Sequence, residues 1–123
     1  MAPGAAAQSW CDSPPAPELA ALDQADVSDG WFKVYRVVPG VFAISEPRQY
    51  EGVTSFLVVG TQRAVLFDSG LGVGWIAGVV KRLTAWPVTV LNSHTHFDHV
   101  GGNAEFTDVR NLDEAYSRAS ARG

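Results

Sequence analysis

The sequence predicts an α+β domain built on a mixed β-sheet with helices on one face. Three observations predict it. Strand-like runs come first, and strands then alternate with helices. Two of the runs, 56–59 and 64–67, are continuously apolar, as in strands buried on both faces. The stretch 71–86 switches period, so that Val73, Ile76, Val79, Val80 and Leu83 form one helical stripe.

The elements follow in order. Residues 1–30 are rich in Ala, Pro, Asp and Ser and read as a disordered leader with one weak helical turn near Pro17–Leu22. Domain-like patterning begins at Trp31 and continues to residue 123. "WFKVYRVV" alternates as a strand, Pro39-Gly40 makes a turn, and "VFAIS" makes a second strand. "EPRQYEG" is a polar hairpin loop that could overhang a site through Tyr50 and its neighbours. "SFLVVG" and "AVLFDSG" are the two buried strands. Pro87 ends the helix after them, and "VTVLNS" is the next strand. A helical piece near Ala104–Phe106, a brief strand in "TDVR" and an amphipathic helix in "LDEAYSRAS" complete the order. Asn111 is placed to cap that helix, with Glu114 three residues on. Trp31 is expected to pack against the sheet and Trp75 to lie in a core or an interface. Only one strong helix is present to cover strands that need cover on two faces. That imbalance predicts a missing half, a dimer or an exposed apolar sheet.

Composition removes several function classes. Net charge is −4 and no basic run exceeds Lys81-Arg82, so nucleic acid is not an expected partner. No apolar stretch approaches the ~20 residues of a membrane span, so no membrane is expected either. The lone Cys11 cannot form an internal disulfide, and the start carries no intact signal peptide, which slightly favours the cytoplasm.

The chemistry concentrates in "LNSHTHFDHVGGN". His94, His96, Asp98 and His99 fall within six positions at the end of a strand, and the chain has only three histidines in all. With an extended backbone, His94, His96 and Asp98 point to one side and His99 points elsewhere. Gly101 and Gly102 allow a sharp turn behind them. Imidazole nitrogen and carboxylate oxygen together suit zinc and similar divalent ions. Asp68, in "LFDSG" after a buried strand, is costly to bury unless it accepts hydrogen bonds.

"THFDHVGGN" closely resembles the His-x-His-x-Asp-His signature of the metallo-β-lactamase-fold hydrolases. "LFDSG" and "GGNAEFTDVR" resemble the segments before and after that signature, and the likeness runs over residues 31 to about 110. The resemblance implies a four-layer αββα sandwich of which this chain supplies the first αβ half. It implies that His94 and His96 bind one metal and Asp98 and His99 a second, zinc foremost, with iron in one branch. A bridging hydroxide, oriented by Asp98, would attack an ester, thioester or amide of a small-molecule substrate. Asp68 would brace the metal loop from behind. His99 places the pattern nearer the glyoxalase II and broad hydrolase branches, and one β-lactamase subclass, than the lactamases that use a cysteine there. The family also needs a further histidine for each metal and a bridging carboxylate. No histidine follows His99, and Glu105, Asp108, Asp113 and Glu114 carry no recognisable spacing for these roles. The expectation is therefore a truncated hydrolase. The alternative is an inactive half-domain that self-associates, or binds a partner, through its uncovered sheet face.

Overall fold

The computed structural model describes residues 16–49, 51–111 and 115–120. Within them the elements run α1 (Pro17–Ala20), β1 (Asp23–Gln24), β2 (Lys33–Val38), β3 (Val41–Ser45), β4 (Thr54–Val59), β5 (Ala64–Phe67), α2 (Ile76–Leu83), β6 (Val88–Leu91), α3 (Phe97–Val100), a 3-10 turn (Asn103–Glu105), β7 (Val109–Arg110) and α4 (Ala115–Ser120). The strands form one mixed sheet in sequence order, seven strands among the described residues. β1 to β5 pair antiparallel, while β5, β6 and β7 pair parallel. Hairpins join the first group. A parallel neighbour needs a crossover, and α2 makes the one from β5 to β6.

The core lies on one face of this sheet. Val34, Ile44, Leu57, Leu66 and Val90 point to that face and pack against Ile76, Val79 and Val80 of α2. The predicted stripe is thus the buried one, except that Val73 lies ahead of the helix and is exposed. Glu105 holds the start of α2, where its carboxylate accepts the Ala77 amide at 3.1 Å. Thr84 leaves the helix extended, three residues before Pro87.

Across β4 to β6 the opposite face is apolar and partly open, while Tyr35 and Ala43 further along the same row are buried. Phe56 pairs with Phe67, which pairs with Leu91, so one row of large side chains crosses β4, β5 and β6. Phe56 is 42% exposed and Phe67 41%. The expectation that the two apolar strands are buried on both faces is therefore corrected. Among the described residues the helical cover packs on the other face, and the pattern records a demand for cover that these residues do not meet.

A second correction concerns the leader. Residues 1–15, Cys11 among them, lie outside the described residues. From residue 16 the chain is ordered, not a disordered leader to residue 30. β1 pairs with β2, Ala25 is buried in the core, and the Ala25 amide donates to Val34 O at 2.7 Å. A two-residue strand carries too little pattern to be seen in sequence, yet the backbone groups on the outer side of β2 capture it. The cap expected for α4 also falls partly outside, since residues 112–114 are not described. No described helix is long and apolar enough to cross a membrane.

Leu66 is fully buried at the centre of the helix-covered face. Leu66→Ala should cost about 2–5 kcal/mol by lost burial and residual cavity, read from urea unfolding midpoints.

Candidate metal centre

Two loops meet at one end of the sheet because β5 and β6 are parallel neighbours. Phe67 and Leu91 are paired, so the residues that follow each strand emerge side by side. The Asp68 amide continues the ladder to Leu91 O at 2.9 Å. Its carboxylate then crosses to the other loop, accepting the Ser93 amide at 2.7 Å and the Ser93 hydroxyl at 2.6 Å. Asp68 has a φ of 66°, the left-handed region that side chains other than glycine rarely occupy. The carboxylate is buried, and these bonds offset its desolvation.

The same carboxylate reaches His99, whose Nδ1 lies 3.0 Å from Asp68 Oδ2. This depends on a departure from the sequence expectation. The strand ends at Leu91, the chain bends at Ser93 and His94, and after an extended His96 the helix α3 begins at Phe97. The helical turn swings His99 back into the cluster instead of away from it. The His94 and His99 ring centroids are 4.1 Å apart, and those of His94 and His96 are 4.7 Å apart.

The hydrogen bonds also fix which ring nitrogens face outward. The single Ser93 hydroxyl proton goes to Asp68, so Ser93 Oγ accepts from His94 Nδ1 at 2.9 Å. Asp68 is an acceptor only, so the neutral His99 ring gives it the Nδ1 proton. Both rings then present an Nε2 lone pair, the form in which imidazole binds a metal. His99 Nε2 stands 3.5 Å from Asp98 Oδ2. Ligand-type atoms of His94, His96 and Asp98 lie within 4.8 Å of one another, and so do those of Asp68, His94 and His99. Either group could hold a divalent ion. The hydrogen bonds made by Asp68 suit the bracing position, since its oxygens are already engaged.

Several contributors were not marked by the sequence. Glu51, in the hairpin loop between β3 and β4, shares a side-chain hydrogen bond with Asp98. Burial pushes the Asp98 carboxyl up, but that bond and the nearby His99 and His94 outweigh it and hold the group below its ordinary range. Tyr50, expected to overhang the site, lies outside the described residues. Asn92 and Asn103 exchange side-chain hydrogen bonds at 2.9 and 3.2 Å, and Ser69 Oγ donates to Asn103 at 2.7 Å. This buried network ties both loops to the segment behind α3. Glu46 is 1% exposed beneath the loops. Burial pushes its carboxyl up, the Trp31 and Leu71 hydrogen bonds pull it down, and the charges of Asp98 and Glu105 add to the rise. Trp31 packs against the core as expected, whereas Trp75 is 63% exposed with the Lys81 ammonium 5.5 Å from its ring centroid.

Comparison with known proteins identifies the family. The sequence profile of the metallo-beta-lactamase superfamily matches residues 49–122, more than half of the chain, and the protein belongs to that superfamily. Among solved structures the chain is similar to a metallo-beta-lactamase from Erythrobacter litoralis, with a TM-score of 0.52 and 22% identity over 67% of this chain and 39% of that one. It is also similar to a beta-lactamase domain protein from Burkholderia ambifaria, with a TM-score of 0.46 and 22% identity over 78% of this chain and 35% of the other. A third is a stereoselective inverting sec-alkylsulfatase from Pseudomonas sp., with a TM-score of 0.48 and 17% identity over 76% of this chain and 18% of that one. The chain thus spans less than two fifths of each of these proteins. No curated protein sequence matches it significantly.

Two outcomes are expected. Asp68→Asn replaces an acceptor facing three donors, and should weaken cobalt(II) binding about 10–100-fold in a spectroscopic titration. In the metal-free chain, Glu46 holds its proton at pH values where the unfolded chain has lost it. Stability should therefore fall as pH rises from the ordinary glutamate range through the raised value. Glu46→Gln should flatten that part of the curve, read from unfolding midpoints at successive pH values.

Proposed function

We propose that the protein is the metal-binding part of a zinc-dependent hydrolase acting on an ester, thioester or amide. The observation that carries this reading is the paired orientation of His94 and His99, whose Nδ1 atoms are engaged by Ser93 and Asp68 so that both Nε2 atoms are left for a ligand, that of His99 3.5 Å from Asp98 Oδ2. Nitrogen and carboxylate donors of this kind suit zinc. His94 and His96 would hold one ion, and Asp98 and His99 a second. Bound there, zinc supplies a Lewis acid and lowers the pKa of water towards neutrality. The chain's own residues do the rest. Asp68 and Ser93 fix the imidazole tautomers, and the Asn92–Asn103 pair holds the loop in place. Asp98 is placed to accept a hydrogen bond from an attacking water and orient it. Two protein ligands per ion fall short of the three or more of catalytic zinc sites. That shortfall and the open sheet face support further polypeptide completing the catalytic unit. The substrate would be a small molecule.

A second reading, favoured by the open row of Phe56, Phe67 and Leu91, is a half-domain that self-associates through that face without catalysis. One experiment separates the two: metal content per chain and native mass on protein purified without added metal, followed by hydrolysis assays with ester, thioester and lactam substrates. One or two zinc ions per chain, lost on chelation and absent from His94→Ala, support the hydrolase reading. A stable oligomer with no metal and no turnover supports the second.

A further inference from the structure

We infer that Glu46 is a positioning residue for the metal loop, an inference that rests on the metal-site reading above. Glu46 lies where β3 leaves the sheet. Its Oε1 accepts the Trp31 indole N–H at 2.7 Å, and its Oε2 accepts the Leu71 amide at 3.0 Å. Gly70 presses directly on Oε2, leaving no room for a side chain at that position. The loop held in this way is the one that begins with Asp68.

Backbone contacts carry the position onward. The Gly101 amide donates to Gly70 O at 2.8 Å, and the Ser69 amide donates to His99 O at 2.9 Å. Gly101 backs so closely on the Leu71 carbonyl that a Cβ there would collide with it. Glu46 is thus one backbone thickness from the turn that ends α3, the helix of Asp98 and His99. Its main chain also shapes the hairpin loop. The Glu46 amide donates to Val53 O at 2.9 Å, and the Gln49 amide donates to Glu46 O at 3.2 Å. That loop carries Glu51 to Asp98. One buried residue therefore holds the loop of Asp68 by its side chain and the loop of Glu51 by its main chain.

The chemistry at this point calls for a carboxylate. Two N–H donors converge on it from different segments, and each needs an acceptor. A buried carboxylate costs more than a neutral side chain of equal size. What it provides in return is a second acceptor, which an amide lacks. In Glu46→Gln the amide group must turn its NH2 toward either Trp31 or Leu71, leaving that donor unmatched.

The test uses the full chain in wild-type form, with Glu46→Gln and Trp31→Phe. Two quantities are read: cobalt(II) affinity from its visible absorption, and the side-chain 15N shifts of His99 in the metal-free protein. Glu46→Gln should bind cobalt about 10-fold more weakly and shift the His99 Nδ1 resonance. Trp31→Phe removes only a donor, and should leave both near wild type. Wild-type cobalt affinity and unmoved His99 resonances in a folded Glu46→Gln variant, whatever its loss of stability, would overturn the inference. If the wild-type chain binds no cobalt, the metal reading fails by itself and the His99 resonances still decide the role of Glu46. If Glu46→Gln does not fold, amide exchange in the wild type decides. Leu71 protected as strongly as Gly101 supports the latch, and a fast-exchanging Leu71 amide overturns it.

Discussion

A single carboxylate, Asp68, joins the two halves of the site. It follows β5, while its partners Ser93 and His99 follow β6, and only the parallel pairing of those strands places them within reach. Three donors converge on it at 2.6 to 3.0 Å, which repays the burial of its charge and its left-handed backbone. Through Ser93 it sets the tautomer of His94, and directly it sets that of His99. The preorganisation of the cluster is thus a property of the sheet ends and not of the histidine motif alone. Ligands of open α/β sheets lie at the carboxyl ends of strands for the same topological reason.

The packing tells a related story. The sheet is stabilised on one face by α2 and left apolar on the other. A row of large aromatic and aliphatic side chains is rarely left exposed without a use for it. The row Phe56–Phe67–Leu91 ends beside the metal loop, so whatever covers the sheet would also border the site. The exposed row and the histidine cluster thus share one end of the sheet.

Much of this was legible in the residues. The strands from β2 to β6, the helix α2 and the short β7 follow from alternation, from continuous apolar runs and from Pro and Gly punctuation, because each signal is local. The ligand types of the cluster were legible for the same reason: His94, His96, Asp98 and His99 sit in one short segment. Asp68 was recognisable only as a buried acid in need of hydrogen bonds, with its bracing role implied by family likeness. The edge strand β1 was hidden because two residues carry no pattern. The outward direction expected for His99 failed because the sequence does not mark where extended backbone gives way to α3.

The sequence by itself determined the order of elements, the apolar demand of the central strands and the donor chemistry of the site, since these depend on residue type and near spacing. Only the tertiary structure decided which nitrogen of each histidine faces outward, that Glu51 meets Asp98, and that Glu46 supports the metal loop from beneath. Those outcomes depend on contacts between segments 15 or more positions apart, where side-chain direction and burial are set by the sheet. A glutamate after "VFAIS" reads in sequence as the start of a polar loop. In the fold it is a buried acceptor for Trp31 and Leu71, because the chain crosses over it twice.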